Sequence, residues 1–241
     1  MKKRRRLFFL PLALLAVLMG VFFGYAGSYC HAGPEAEAAM RSDGAVAVRR
    51  MARGWLFDGP GTEDALIFYP GGKVEETAYA PLLRRLAEDG LDVYLVKMPF
   101  RLAVFAPNSA ERAAAELDSP HLYLGGHSLG GAMAANYAAG HEDALSGLVL
   151  LAAYPTKPIT QLPVLTVCGS EDGVLDWEKL AEGRELLPAD AAEAVMPGGN
   201  HAQFGDYGEQ KGDGEAALSA DEQRAQTVTL ILDWLPCAKS S

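Results

Sequence analysis

Short apolar runs alternate with helical patterns along most of this chain. Several of these apolar runs end at glycine or proline, which is typical of buried strands that meet turns. The six runs cover residues 65–69, 91–96, 122–124, 145–152, 163–168 and 194–196. Between them, periodic or alanine-rich segments predict helices at 79–88, 109–117, 129–139, 177–187 and 223–235. Strands that alternate with helices predict right-handed crossovers and an α/β fold with a mostly parallel, doubly wound sheet. Functional sites of such sheets form at the carboxyl ends of the strands.

The first 26 residues follow a different pattern. Residues 2–6 are all basic, and the twenty residues of 7–26 carry no charge. A helix of that length, at about 1.5 Å per residue, crosses roughly 30 Å of hydrocarbon. We therefore predict a single transmembrane helix over 1–26 that anchors the chain in the cell membrane, with its basic end in the cytoplasm and the rest outside. The alternative is a cleaved signal peptide and a secreted protein, but the apolar run exceeds the usual core of about 7–15 residues.

The rest of the chain divides into a linker and one domain. Residues 27–53 contain short alanine, glycine and charged runs without sustained periodicity, which indicates a stalk. The alternation of strands and helices begins near Gly54, so we expect the domain to cover 54–241. A chain of 241 residues has room for one ordinary domain and an appendage. The sequence gives no indication of the oligomeric state.

Charge and cysteine content narrow the classes of partner and cofactor. The net charge is −10, and residues 27–241 hold all 31 acidic side chains but only 16 of the 21 basic ones. So acidic a domain repels phosphate backbones, and nucleic acid is not expected as a partner. The three cysteines show no CxxC or Cys/His ligand spacing, so no metal and no organic cofactor is predicted.

A candidate nucleophile lies in Gly126-His127-Ser128-Leu129-Gly130, which matches the pattern Gly-x-Ser-x-Gly. The segment follows a predicted strand and opens a predicted helix, which is the placement that a nucleophile elbow requires. The glycines let neighbouring backbone approach a strained residue without clashing. We predict that Ser128 is the nucleophile. His127 is too close in sequence to act as its base, and we interpret it as a residue that orients the turn.

A base and an acid for Ser128 occur further along the chain. Folds with this kind of elbow place the triad in the order Ser, acid, His, and Asp172 and His201 lie in the loops that follow the fifth and the last predicted strand. His201 would take the serine proton and later return it to the leaving group. Asp172 would hold the imidazole in the useful tautomer. The adjacent Glu171 is the alternative for the acid.

Acyl transfer also needs preset donors for the negative oxygen that forms during the reaction. One donor is expected to be the backbone N–H of Leu129, directly after the nucleophile. The second should come from the loop after the first central strand, where the sequence is Pro-Gly-Gly-Lys. We predict the N–H of Gly72, with the N–H of Lys73 as the alternative.

These motifs resemble those of the α/β-hydrolase superfamily, over about residues 54–236. More narrowly, the chain resembles compact bacterial α/β-hydrolases that are esterase-like, lack a cap domain and carry a membrane anchor. The narrower resemblance rests on Tyr-Pro-Gly-Gly-Lys at 69–73 and Gly-Gly-Asn-His-Ala-Gln-Phe-Gly at 198–205. The resemblance implies hydrolysis of ester-like bonds by the predicted triad. It does not fix a substrate, because this fold hosts many chemistries.

The sequence thus predicts a serine hydrolase outside the cytoplasm that cleaves carboxylic esters through an acyl-enzyme. The expected substrate is a small-molecule ester or a lipid-like molecule. Only about ten residues separate Ala153 from Pro163, too few for a cap domain, so we expect an open pocket. Two alternatives stay open: an acyltransferase or thioesterase with the same triad, and a membrane-tethered binding module without turnover.

Overall fold

A central eight-stranded sheet with helices on both faces forms the body of the protein. The computed structural model describes the backbone of residues 2–61 and 63–239, and the side chains of residues 11–12, 14–61 and 63–235. The strands are β1 (Ala47–Met51), β2 (Gly54–Asp58), β3 (Asp64–Tyr69), β4 (Leu91–Val96), β5 (His121–His127), β6 (Gly147–Leu151), β7 (Val164–Gly169) and β8 (Ala192–Met196). The helices are α1 (Lys2–Gly27), α2 (Pro34–Ala39), α3 (Ala80–Glu88), α4 (Ser109–Ala114), α5 (Leu129–Ala138), α6 (Trp177–Arg184) and α7 (Ala220–Lys239).

The strand order is β1-β2-β4-β3-β5-β6-β7-β8. The pairs β1–β2 and β2–β4 are antiparallel, and every pair from β4 to β8 is parallel. The mostly parallel sheet that the sequence predicts is therefore present. Strands β4, β6 and β7 are buried along their whole length, because helices cover both faces of the sheet. This explains why they read as continuous apolar runs rather than as alternating ones.

Two large apolar clusters fill most of the space between the sheet and its helices, and a small third cluster joins Cys168 of β7 to Leu180 of α6. One face packs against α3 and α7, through side chains that include Leu82, Leu86, Val228, Ile231 and Trp234. The other face packs against α4 and α5, which contribute mainly alanines. Helix α5 lies close to the end of β6, since a Cβ placed on Gly131 would lie 2.5 Å from the Cβ of Ala153. This close approach holds the start of α5 firmly against the ends of the central strands.

The six strands predicted from apolar runs are all present, and their ends differ from the predicted ones by at most three residues. The antiparallel strands β1, at the edge of the sheet, and β2, beside it, were not predicted. The central residues of β1 are the exposed Arg49 and Arg50, so the strand lacks an apolar signal. Its partner β2 follows after a two-residue turn and supplies the buried side chains Leu56 and Phe57.

Much of the segment 27–53, predicted as a stalk, packs against the domain. It contains α2 and β1, and Ala36 and Val46 are fully buried. Cys30 forms a parallel bridge with Val74. The N–H of Cys30 donates to the carbonyl of Lys73 over 2.8 Å, and the carbonyl of Cys30 accepts the N–H of Glu75 over 2.8 Å. The segment therefore braces the loop that follows β3.

Helix α1 lies at the N-terminus, and the described residues near its end contact the domain, where Nζ of Lys73 lies 4.3 Å from the ring centroid of Tyr25. The ring of Phe22 makes edge-to-face contacts with Phe100 and Phe105, at centroid distances of 5.1 and 5.7 Å. Most of its other described apolar side chains are exposed, among them Leu12, Leu14, Leu15, Val17, Leu18 and Val21. Within the described residues, no helix has the length and apolarity needed to span a bilayer. This finding does not support the predicted transmembrane helix, part of which lies outside the described side chains.

Candidate active site

Ser128 occupies a sharp turn between β5 and α5. Its backbone angles are φ 53° and ψ −125°, a region that a residue with a side chain enters only at a cost of about 1–3 kcal/mol. The N–H of Ser128 donates to the carbonyl of Leu151 over 2.9 Å, which fixes the turn to the next strand. A strained serine above the carboxyl edge of a parallel sheet is the geometry of a nucleophile elbow.

The glycines around Ser128 are required by close backbone contacts. A Cβ on Gly130 would lie 2.3 Å from the carbonyl oxygens of both Tyr69 and Pro70. A Cβ on Gly126 would lie 2.7 Å from the oxygen of Tyr69. The first turn of α5 therefore presses directly on the end of β3, and only glycine permits this contact.

Asp172 and His201 form a buried hydrogen-bonded pair in the loops after β7 and β8. Oδ2 of Asp172 accepts a hydrogen bond from Nδ1 of His201 over 2.8 Å, and neither side chain has more than 2% of its surface exposed. Oδ1 of the same carboxylate accepts the N–H groups of Val174 and Leu175, at 2.9 and 2.7 Å. A carboxylate held on three sides fixes the imidazole with its proton on Nδ1, so Nε2 is left as the basic nitrogen.

Nε2 of His201 is buried and has no hydrogen-bond partner among the described residues. His201 and Ser128 line the same cavity, so the structure brings these two predicted residues to one place without a direct hydrogen bond between them. Hydrogen bonds between a nucleophile and its base are often long in ligand-free sites and shorten when substrate binds.

Glu171, the alternative acid, points elsewhere. It is exposed, and its carboxylate accepts a hydrogen bond from the hydroxyl of Ser170 over 2.9 Å. The geometry thus pairs His201 with Asp172 and not with the neighbouring carboxylate.

The loop after β3 lies against the start of α5, where the predicted oxyanion donors meet. The N–H of Lys73 already donates to the carbonyl of Arg101 over 2.9 Å, so it is not free to bind an oxyanion. The N–H of Gly72 has no partner among the described residues. Leu129 opens α5, and a first-turn N–H takes no part in the helix ladder. A Cβ on Gly72 would lie 2.8 Å from Cδ2 of Leu129, so the loop packs closely on the side chain of Leu129.

One further carboxylate holds the loops of the acid and the base together. Asp213 accepts backbone N–H groups from Gly173 at 3.2 Å, from His201 at 3.2 Å and from Ala202 at 2.8 Å. It also accepts the N–H of Gly214, at 2.9 Å. The sequence did not predict a role for Asp213, because the residue lies in a polar, glycine-rich segment without periodicity. Its hydrogen bonds to the two loops are long-range contacts, which no local sequence pattern indicates.

A cavity of about 330 Å³ lies beside Ser128 and His201. Its other lining residues are Leu129, Ala132, Ala152, Ala153, Tyr154, Thr156, Val174, Leu175 and Asp176. The carboxylate of Asp176 is engaged as the cap of α6, where it accepts the N–H of Lys179 over 3.0 Å. The wall is thus mainly apolar and suits an uncharged hydrocarbon group. No cluster of three metal-ligating side chains occurs among the residues that were described.

The chain is similar to known proteins in family and in fold. A family model described as the alpha/beta hydrolase family matches residues 65–225, a range that contains Gly72, Ser128, Asp172 and His201. No curated protein matches the chain in sequence.

Solved structures with the same fold include a monoglyceride lipase, a phospholipase A and a protein named Est1E. A soluble variant of the monoglyceride lipase from Saccharomyces cerevisiae is 11% identical with a TM-score of 0.57, over 83% of this chain and 97% of that chain. Est1E from Butyrivibrio proteoclasticus is 14% identical with a TM-score of 0.54, and the match covers 80% of this chain and 99% of that chain. A membrane phospholipase A, described as a bacterial virulence factor, is 14% identical with a TM-score of 0.60, and the match covers 96% of this chain and 99% of that chain. Identities this low demonstrate a shared fold and no more.

Proposed function

Because the chain belongs to the alpha/beta hydrolase family, we propose that it is a serine hydrolase that cleaves carboxylic ester bonds with Ser128, His201 and Asp172. The observation that carries the proposal is the buried 2.8 Å hydrogen bond between His201 and Asp172 beside a serine with a positive φ of 53°. A fold alone does not imply an activity. The proposal therefore rests on the arrangement of these three side chains.

The proposed reaction runs in two steps. Oγ of Ser128 attacks the ester carbonyl while Nε2 of His201 takes its proton, and the resulting imidazolium gives that proton to the departing alkoxide. Asp172 keeps the imidazole oriented and stabilises its positive charge. The N–H groups of Gly72 and Leu129 bind the oxyanion. Water then cleaves the acyl-enzyme by the same route, with His201 as the base, and regenerates the serine.

The proposed substrate is a small or lipid-like ester with an uncharged acyl group. The apolar wall of the 330 Å³ cavity supports this choice. The names of two similar structures, a monoglyceride lipase and a phospholipase A, also point towards lipid esters.

We further propose that helix α1 holds the domain at the cell membrane, on the side away from the cytoplasm. The proposal is supported by the exposed apolar side chains of α1 and by the five basic residues at its start in the sequence, which favour a cytoplasmic N-terminus. Alkaline carbonate extraction of the full-length chain tests membrane attachment, and protease added to intact cells tests the side. Release of the chain by carbonate would refute the anchor.

The catalytic proposal is tested by labelling the folded protein with a fluorophosphonate, which reacts with activated serines. We expect labelling at Ser128, its loss in Ser128→Ala, and release of p-nitrophenol from acyl esters. A folded wild-type protein that neither labels nor turns over would instead favour a binding module. Adding an acceptor alcohol or thiol to the ester assay distinguishes hydrolysis from acyl transfer, because a transferase yields the new ester or thioester.

A further inference from the structure

A buried tyrosine and a buried histidine connect the loop after β3 with the elbow. The hydroxyl of Tyr79 lies 2.7 Å from Nδ1 of His127, and it accepts the N–H of Gly71 over 3.1 Å. Tyr79 is fully buried and His127 is 1% exposed. Gly71 immediately precedes the predicted oxyanion donor Gly72. The contact therefore joins this donor loop to the residue before the nucleophile.

The direction of each hydrogen bond in this group follows from its donors. The N–H of Gly71 can only donate, so the hydroxyl of Tyr79 accepts it and directs its own proton to His127. In this arrangement Nδ1 of His127 is the acceptor, and the neutral ring carries its proton on Nε2, a buried atom with no hydrogen-bond partner among the described residues. In the opposite arrangement Nδ1 of His127 would donate, and the hydroxyl proton of Tyr79 would be the one buried without a partner.

The ring of His127 also packs on the proposed base. The ring centroids of His127 and His201 are 4.4 Å apart, and Phe204 closes the other side at 5.4 Å. Burial and the neighbouring His201 hold the pKa of His127 well below its ordinary value of 6.5, and contact with the backbone of His201 offsets this only in part. A neutral His127 does not repel the positive charge that His201 acquires during the reaction.

We propose that Tyr79 and His127 are positioning residues, which fix the oxyanion loop through Gly71 and present an uncharged ring to His201. The inference rests on the proposed function for its consequence in catalysis. It goes beyond that function in assigning a role, a tautomer and a direction of hydrogen bonding to two residues outside the triad. The hydroxyl, not the ring, of Tyr79 carries the effect.

The test compares Tyr79→Phe with Tyr94→Phe. The hydroxyl of Tyr94, on β4, likewise accepts a backbone N–H, from Arg53 at 3.3 Å, and donates to Glu116 at 3.0 Å. Both substitutions remove a buried hydroxyl with two hydrogen bonds, so both reduce the melting temperature. Only Tyr79→Phe is expected to lower kcat and the rate of fluorophosphonate labelling, by about 10–100-fold with KM changed less than about threefold. Equal kcat in the two variants would overturn the proposal.

A second pair of variants tests His127. In His127→Asn the amide oxygen can still accept the proton of Tyr79, and the side chain stays neutral at every pH. His127→Leu offers no acceptor. We expect the asparagine variant to keep kcat within about fivefold of wild type and the leucine variant to lose about as much as Tyr79→Phe. Equal losses in both variants would show a purely structural role and would contradict the proposal.

Nuclear magnetic resonance of the wild-type protein labelled with ¹⁵N-histidine separates this inference from the proposed function. We expect His127 as a neutral ring with its proton on Nε2 from pH 8 down to about pH 5. A proton on Nδ1, or a ring that charges near pH 6.5, would overturn the inference even in an active enzyme. The expected tautomer in a protein that neither labels nor hydrolyses esters would uphold the hydrogen-bond assignment while the proposed function fails.

Discussion

The carboxylate of Asp213 accepts the backbone N–H of His201 over 3.2 Å. The same side chain accepts the N–H of Gly173, in the loop of the acid. One carboxylate from a third segment therefore spans the two loops whose relative position decides whether Asp172 meets His201. Hydrogen bonds to a charged acceptor are among the stronger ones in proteins.

Replacing Asp213 should disturb catalysis without touching the reacting groups. Asp213→Ala leaves four backbone N–H groups without their acceptor, and we expect kcat to fall about 10–100-fold together with a melting temperature lower by several degrees. Asp213→Asn, which keeps one oxygen, should be intermediate. Glu209→Ala, an exposed position of the same segment, is the control. If ester turnover by Asp213→Ala equals that of the control, the bracing role is wrong.

Removing the charge of Asp172 should lower kcat far more than removing the charge of Glu171. Asp172→Asn keeps the shape of the side chain but presents an amide to Nδ1 of His201, which favours the wrong tautomer. We expect kcat to fall by up to about 10⁴-fold, the loss known for this change in a serine protease. Glu171→Gln, on an exposed side chain, should stay within about twofold. Steady-state kinetics on a p-nitrophenyl ester decides, and the reverse order of severity would move the acid to Glu171.

The proposed oxyanion donors should not tolerate a methyl group between them. In Gly72→Ala the new Cβ meets the side chain of Leu129 at 2.8 Å. The side chain of Leu129 or the loop must then shift next to the proposed oxyanion site, so we expect kcat to fall about 10–100-fold. Gly44→Ala, whose Cβ would meet nothing within 4 Å, serves as the control. Kinetics identical to the control would contradict the expected disturbance of the oxyanion site.

The stability of the protein should depend on pH through His127. The unfolded chain binds a proton at this residue near pH 6.5, whereas burial keeps the folded form neutral well below that pH. Below pH 6.5 the unfolded state thus holds more protons, and stability falls as the pH falls. Urea unfolding at pH 7 and pH 5 should show a larger loss for wild type than for His127→Asn, by up to about 1.4 kcal/mol per pH unit. Parallel pH profiles would contradict this account.

The small side chains of the cavity should set the length of acyl group that is accepted. Ala132, on α5, is half-buried and lines the cavity. We expect Ala132→Leu to fill this space and to lower kcat/KM for octanoyl esters at least about tenfold more than for acetyl esters. Val174→Ala, on the opposite loop, should shift the preference towards longer chains. An unchanged chain-length profile in both variants would show that the acyl group binds elsewhere.

The sequence predicted that Ser128, Asp172 and His201 lie close together because each belongs to the turn or loop that follows a strand. The carboxyl ends of parallel strands share one edge of the sheet, so residues after strands β5, β7 and β8 come together whatever their separation along the chain. The same rule located the loop of Gly72. The choice between Gly72 and Lys73 needed the structure, because it depends on which N–H another carbonyl already occupies.

Contacts made by side chains that fold back across the domain were not readable. Asp213 lies in a polar loop, and Tyr79 looks like an ordinary core residue at the start of a helix. Their roles depend on distances to the base loop and to His127, which no periodicity encodes. Strand β1 was not predicted for a different reason. Its two consecutive, exposed arginines interrupt the alternation of apolar and polar residues that a half-buried strand normally shows.

The bracing of the loop after β3 by the segment that holds Cys30 has a practical consequence for producing the protein. A shortened version beginning at Gly54, where the strand and helix alternation starts, would lack β1, the outer neighbour of β2. The main-chain N–H and C=O groups along the free edge of β2 would then be unpaired and could promote aggregation. It would also release the loop that carries Gly72. Recombinant work that omits α1 should therefore begin near Ser28.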